Sequence, residues 1–279
     1  MVTYPARVID LHTHSTVSDG SDPPARVAEL AAEAGCSAVA LTDHDRLDGI
    51  VAARGRASAL GVELVAGCEL SCEFSPGTMH VLVYFVEPGE GPLHDELVRL
   101  QAVRDRRNQL MCERLGIPYA ELLEEAGGMG AGRPHAAAVL VRRGVVGSIQ
   151  EAFDMYLAKG RPGYVDKERL APGEAVRLAR ASGGVAVLAH PFSLGLAPAE
   201  LGRTVGELAG LGVAGVEAMY GRYSPEDRAG LVALAAAHGL VATGGSDHHG
   251  TYKPDLTVGR GAGDLDVPDS VLDELRARA

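Results

Sequence analysis

What most constrains this chain is where its histidines fall. Seven short apolar runs, 7–12, 37–42, 62–66, 79–86, 185–189, 213–218 and 240–244, read as buried strands bounded by Gly, Pro or Asp. Histidines and carboxylates recur at their ends. Asp10-Leu11-His12-Thr13-His14 closes the first run, and Asp19 follows in Ser18-Asp19-Gly20. Thr42-Asp43-His44-Asp45 ends the second, Glu69 follows the third, and His80 stands at the start of the fourth. Ala189-His190-Pro191 ends the fifth, and Gly245-Ser246-Asp247-His248-His249 ends the seventh. Residues two apart on a strand share a face, so His12 and His14 can address one ion. If the strands are parallel and close into a barrel, all these ends collect at the face that carries active sites.

Helical segments between most of the runs support that arrangement. In 23–34, Ser21 or Asp22 is the expected cap, Pro23 and Pro24 suit a first turn, and Val27, Leu30, Ala31 and Ala34 line one face before Gly35. Strands alternating with helices predict parallel pairing with right-handed crossovers, in an α/β barrel or a doubly wound sheet. The alternation breaks between about 90 and 165, where helices are expected at 92–115, 118–126, 134–143 and 148–158, with a Gly-rich interruption at 127–132. The expected division is a barrel from 1–90 and 166–279, with a helical insertion, 91–165, over its mouth.

Composition narrows the chemistry. The formal charge of −11 argues against sequence-independent adhesion to long nucleic acid, and 4% aromatic residues leave little for base-stacking platforms. No stretch approaches a membrane span, and the first residues lack a secretion-signal pattern, so a cytoplasmic protein with reduced thiols is expected. Cys36, Cys68, Cys72 and Cys112 read as buried thiols, because no second pair follows Cys68-x3-Cys72 to complete a zinc site.

Single residues have plainer readings. His94 and His238 fit structural hydrogen bonding within helices, and Asp22, Asp45 and Asp48 fit caps or turns. Asp43 and Asp10 are candidates to orient imidazoles, or are strand-end residues. The joint pattern is harder to explain that way. One catalytic zinc needs three protein ligands, and His12, His14 and Asp247 would suffice. Nine candidates, His12, His14, Asp19, His44, Glu69, His80, His190, Asp247 and His249, point to two or three ions sharing a carboxylate, with Glu69 as the bridge. Imidazole with carboxylate suits zinc, manganese or iron. Three divalent ions would bring six positive charges against the three negatives of Asp19, Glu69 and Asp247, a site that attracts phosphate.

These motifs resemble the PHP (polymerase and histidinol phosphatase) family: His12-x-His14, Ser18-Asp19-Gly20, Thr42-Asp43-His44-Asp45, Gly67-x-Glu69, His80, Ala189-His190-Pro191 and Gly245-Ser246-Asp247-x-His249. The resemblance implies a distorted seven-stranded (β/α)7 barrel with three divalent metal ions. It assigns His12, His14, Glu69 and Asp247 to one ion, Glu69, His80 and His190 to the second, and Asp19, His44 and His249 to the third. Asp19 stands where several members carry histidine. Arg133-Pro134-His135 and Lys159-Gly160-Arg161-Pro162-x-Tyr164 resemble small members that act on nucleoside 3′,5′-bisphosphates and trim short RNA from its 5′ end. Arg133, His135, Lys159 and Tyr164 are then the expected substrate contacts.

The expected chemistry is phosphoester hydrolysis by a metal-bridging hydroxide, with Glu69, His190 and His249 as the catalytic set; the general acid is His190 or His249, or, if both are ligands, His135 or a metal-bound water. The alternatives are histidinol phosphate or a ribose cyclic phosphate as substrate, a metal-dependent amidohydrolase, or a module without activity. Amidohydrolase barrels use a carbamylated lysine on a central strand, and no lysine precedes Lys159 here. The glycines at 127–132 lack the preceding strand and following Lys-Ser/Thr of a phosphate loop. The expected partner is a small phosphorylated substrate, a nucleotide or short RNA, with no membrane and no obligate protein partner.

Overall fold

One sheet takes its seven strands in chain order: β1 (Val8–Asp10), β2 (Cys36–Leu41), β3 (Glu63–Cys72), β4 (Met79–Tyr84), β5 (Val185–Leu188), β6 (Gly215–Tyr220) and β7 (Val241–Gly245). A computed structural model describes residues 8–89, 91–127 and 130–279. Part of the Gly-rich interruption, 128–129, and the first residue of the first apolar run therefore lie outside the described residues. The sheet curls until its edges meet: Leu11 N donates to Gly244 O at 3.1 Å, and Thr13 bridges His248. The result is a nearly closed α/β barrel.

The uniform parallel pairing expected from the alternation is corrected at one strand. β1–β3 and β5–β7 are parallel, but β4 runs antiparallel to both β3 and β5. Only residues 73–78 connect β3 to β4, too few for the crossover that parallel strands require. β3 is also longer than expected, so Glu69 lies within it rather than after it, two residues before Ser71, which pairs with His80. The reversal accounts for His80. The beginning of an antiparallel strand lies at the same end of the barrel as the finish of its neighbours.

Period-two alternation sorts the apolar residues into two layers. Ile9, Leu11, Ala38, Ala40, Leu82, Tyr84 and Val187 pack inside the barrel, where Tyr84 also donates its hydroxyl to Leu11 O at 2.8 Å. Val39, Leu41, Val81, Val83 and Leu188 face outward against the helices. Those helices include α1 (Pro24–Ala34) and α2 (Ile50–Leu60), which end on glycines in left-handed conformation, Gly35 and Gly61. The expected side-chain cap of α1 is absent: Pro23 holds that position, and Asp22 instead meets His248 Nε2 at 2.9 Å.

Between β4 and β5 come α3 (Pro92–Leu115), α4 (Tyr119–Glu125), α5 (Arg133–Arg142) and α6 (Ile149–Ala152), the last running into a π turn at Phe153–Leu157. Met111, Leu122, Leu140 and Leu157 form an apolar cluster of their own there. The remaining helices are α7 (Pro172–Ala181), α8 (Pro198–Leu211), α9 (Pro225–Ala237) and α10 (Ser270–Arg276). Among the described residues no helix is long and apolar enough to cross a membrane.

Candidate metal centre

At the end of the barrel where β1, β2 and β5–β7 finish and β4 begins, the nine candidate side chains converge. Four overlapping groups have potential ligand atoms within 4.8 Å of one another: His12 with His14 and Asp247; His12 with Glu69 and His190; His44 with Glu69 and His80; and His14 with Asp19, His44 and His249. His94 in α3 and His238 at the end of α9 stand outside these groups.

Glu69 is the hub. Its Oε1 lies 2.8 Å from His80 Nδ1 and 2.9 Å from His190 Nε2. Its Oε2 faces His12 Nε2 at 3.3 Å, His14 Nε2 at 3.1 Å and His44 Nδ1 at 3.2 Å. One carboxylate thus serves two imidazole sets, the geometry a bridging ligand needs. Asp247 turns Oδ1 toward His14 Nε2, at 3.4 Å, and accepts at Oδ2 from the Tyr220 hydroxyl at 2.7 Å and from Lys253 Nζ at 2.5 Å. Asp19 stands on the far flank, 3.3 Å from His249 Nε2 and 3.8 Å from both His14 Nδ1 and His44 Nε2.

Of the two readings open for Asp10 and Asp43, the structure shows both chiefly bracing backbone and loops. Asp10 accepts from the backbone N–H groups of His12, Ser246 and Gly259, tying three loop segments together. Asp43 accepts from Ser15 N, Ser15 Oγ and Ser18 Oγ and so fixes the loop after β1. Among the described residues neither touches an imidazole directly, though Ser18 Oγ, held by Asp43, lies 3.4 Å from His14 Nδ1. Glu217, fully buried on β6, does touch one: Oε1 lies 2.9 Å from His12 Nδ1, and Oε2 accepts from His190 N at 2.7 Å. A charged residue in the apolar run Gly215-Val216-Glu217-Ala218 was the sequence signal for it. His190 and Asp247 also hold positive φ, 22° and 55°, strain of the kind kept where a site over-determines the backbone.

Electrostatics favour a cation here. Burial opposes the charge on Glu69, Asp19 and Asp247, yet surrounding imidazoles and Lys253 outweigh it and hold all three carboxyls well below the usual range. Burial also opposes the charge on His14, but Asp247 and Glu69 lift it to about 9, whereas His44, His80 and His249 are pushed down, chiefly by burial. A cluster that keeps its carboxylates ionised while driving protons off half its histidines is short of positive charge. Asp19 Oδ1 and His44 Nδ1 are buried and, among the described residues, make no well-aligned hydrogen bond despite neighbours at 3.3 and 3.2 Å, as ligand atoms without their ion would be. The donor set therefore fits divalent zinc, manganese or iron. The cysteines play no part: burial raises the Cys68 thiol well above its ordinary value and pushes Cys72 up to about 12.

Beside the cluster lies the insertion. Arg133 opens α5 with its guanidinium between the rings of Phe153 and Tyr164, 5.8 and 5.9 Å from their centroids, and it lines the cavity that also holds Asp19, His44 and His80. His135 is buried, and its Nδ1 accepts from Gly132 N at 3.2 Å, so Nε2 carries the proton. Burial pushes its pKa down, which makes it a neutral donor and a poor general acid. Lys159 is exposed at the outer rim of a second cavity, which it shares with Arg133 and Tyr164.

Residues 10–166 match the family model for the PHP domain. The chain is 34% identical over 251 residues to the 5′-3′ exoribonuclease Rnm of Salmonella typhimurium, covering 88% of this chain and 86% of that one. It is 31% identical over 265 residues to a 3′,5′-nucleoside bisphosphate phosphatase of Chromobacterium violaceum, covering 90% of each chain. A phosphoribosyl 1,2-cyclic phosphate 1,2-diphosphodiesterase of Eggerthella lenta is 34% identical over 254 residues, 87% of this chain and 94% of that one. A solved structure described as a metal-dependent phosphoesterase from Bifidobacterium adolescentis superposes with a TM-score of 0.86 at 29% identity, over 99% of this chain and 97% of that one.

Proposed function

Because this chain belongs to the PHP domain family and is a metal-dependent phosphoesterase, we propose that its substrate is a nucleoside 3′,5′-bisphosphate, from which it removes the 3′-phosphate. Short RNA trimmed from its 5′ end would enter the same mouth, as the likeness to exoribonucleases supports. The observation that carries the reading is the nine-residue cluster around Glu69 opening beside Arg133 of the insertion.

His12, His14, Glu69 and Asp247 would hold one divalent ion, Glu69, His80 and His190 a second, and Asp19, His44 and His249 a third. Such ions supply an activated water and a clamp on phosphoryl oxygens. The reaction adds water across the P–O3′ bond: oxygen joins phosphorus, the 3′ oxygen leaves, and it takes up a proton. Glu69 keeps the two ligand sets at a fixed separation. His190 is held by Glu217 through its backbone and faces Ser193 Oγ with Nδ1 at 3.0 Å, and His249 faces Asp247 O with Nδ1 at 2.9 Å, so as ligands both rings would be fully committed and would act by position. Arg133 offers a planar fork to phosphate oxygens, stiffened by the two rings that flank it, and His135 adds a neutral N–H. Tyr164 and Lys159 extend that wall outward.

The test is phosphate release with manganese from adenosine 3′,5′-bisphosphate, histidinol phosphate and phosphoribosyl 1,2-cyclic phosphate in parallel. Release from the bisphosphate that leaves adenosine 5′-monophosphate is expected. Preference for either of the other two compounds would overturn the substrate assignment.

A further inference from the structure

We propose that Phe192 and Tyr223, on the side of the mouth away from the insertion, form a stacking site for a nucleobase, that of the nucleotide following the cleaved linkage in a short RNA. The inference rests on the function proposed above and deepens its RNA part, because a nucleoside 3′,5′-bisphosphate carries no such base.

Aromatic residues are scarce in this chain, four phenylalanines and eight tyrosines, yet they gather at this rim. A row of rings leads outward from His190: Tyr220 at 5.6 Å between centroids, Tyr223 another 4.8 Å on, and Phe192 4.6 Å beyond that. The row is braced. Tyr220 donates to Asp247, and the Tyr223 hydroxyl accepts from Phe192 N at 3.0 Å, which fixes the short turn Pro191–Leu194. The outermost ring, Phe192, is 43% exposed. A single exposed phenylalanine is ordinary. This one stands in a cavity of about 480 Å³ whose inner wall is His80, His190 and Asp247.

Charge decides which part of a substrate fits there. Both cations of the cavity already have partners: Arg222 grips the two oxygens of Asp255 at 2.7 Å each, and Lys253 Nζ lies 2.5 Å from Asp247. The insertion side is the opposite. Arg107, 7% exposed on α3, faces Asp19, His44 and His80 across its cavity, and its Nε has no hydrogen-bond partner. A strand that rests its first nucleotide against Arg133 and Tyr164, and its next phosphate at the cluster, continues toward the aromatic rim. What arrives first is a ribose and a base, which suit paired charges and open rings. Phe192 follows His190 by two residues, at most about 7 Å of chain, so one nucleotide spans the distance. Hydrolysis adds water across the P–O3′ bond, the 3′ oxygen takes a proton, and the downstream nucleotide keeps the phosphate. Stacking needs only a π-face, so the site senses the presence of a base and tolerates its identity.

The experiment measures manganese-dependent cleavage of adenosine 3′,5′-bisphosphate, the 5′-phosphorylated adenosine dinucleotide, and the same dinucleotide without its second base. The proteins are wild type, Phe192→Ala and Phe192→Trp. Wild type should show a kcat/KM about tenfold or more higher for the full dinucleotide than for the abasic one, the scale of one base–aromatic stack. Phe192→Ala should lose that preference while its bisphosphate hydrolysis stays within about threefold, and Phe192→Trp should keep it. A wild type indifferent to the second base, or a preference that survives in Phe192→Ala, overturns the site. Equal losses on all three compounds would make the ring a support for His190 or a contact of the first nucleoside, and overturn it too. If wild type leaves the bisphosphate intact but cuts the dinucleotides, the bisphosphate reading has failed and the dinucleotide comparison still decides. If it cuts nothing, calorimetry decides with the two dinucleotides bearing a methylene in place of the bridging 3′ oxygen. Tighter binding of the full one, abolished in Phe192→Ala, supports the site, and equal binding overturns it.

Discussion

Glu217 reaches His12 past β7, from β6 to the end of β1, with Oε1 2.9 Å from His12 Nδ1. That contact fixes the His12 tautomer, leaving Nε2 for the cluster, and the other oxygen of Glu217 holds the backbone of His190. One buried carboxylate therefore aims two of the candidate ligands without being one.

Replacing Glu217 with Gln keeps the volume but removes the charge that orients His12. Manganese affinity is expected to fall ~10–100-fold with the fold intact. Isothermal titration on the metal-stripped protein checks this, and unchanged affinity would reduce Glu217 to a packing residue.

His80→Ala removes one of the two imidazoles on Glu69 Oε1. Phosphate release should drop at least ~100-fold while circular dichroism stays that of the wild type. Wild-type rates in this variant would sink the shared-carboxylate arrangement.

Arg133→Ala should lower kcat/KM by about 10–100-fold, the scale of a lost charge-assisted hydrogen bond, and Arg133→Lys should recover little because the planar fork and its stacking are gone. Lys159→Ala, at the exposed rim, should stay within about threefold. Equal effects from the two alanine variants would show that the stacked position of Arg133 confers nothing.

With metal chelated, stability should depend on pH in a defined sense. His14 is raised from 6.5 to about 9 in the folded chain, so its contribution is full below pH 6.5 and disappears as pH rises through 9. The shift corresponds to about 3 kcal/mol. The depressed carboxyls of Glu69, Asp19 and Asp247 act oppositely, stabilising above their unfolded values and losing that effect in acid. His44, His80 and His249, pushed down in the folded chain, add stability that grows as pH rises toward 6.5, so urea titrations of the chelated protein should peak near about pH 6.5. Manganese should reverse the alkaline decline, because its ligands bind when deprotonated. A flat profile from pH 6.5 to 9 in chelator would contradict the charge balance drawn here.

The cluster itself was legible because its residue types are rare at strand ends and recur there. The orienting groups were not, because adjacency in sequence misleads. Asp43 beside His44 and Asp10 near His12 looked like partners, yet their oxygens go to Ser15, Ser18 and loop backbone. Glu217 lies 205 positions from the ring it orients, a distance that only closure of the barrel removes. Arg107 was hidden differently: on a helix rich in arginine, sequence cannot say which one turns inward without a counter-ion. Asp45 passed as a turn residue, and it is one, with φ of 54°, but it also anchors Arg104 and Lys167.

The reversed strand has a consequence for α3. Because β4 begins at the mouth, it ends at the far rim, roughly 20 Å away for a six-residue strand. The insertion starts from that distant rim: Leu93 N donates there to Ser182 Oγ, just ahead of β5. Twelve residues of α3 separate Pro92 from Arg104, a climb of about 18 Å that returns the chain to the mouth. The helix is a ruler cut to the height of the barrel. Adding or removing one turn would slide Arg104 and Arg107 by about 5.4 Å along the wall that faces Asp19, His44 and His80, so its length sets where those two guanidiniums stand against the mouth.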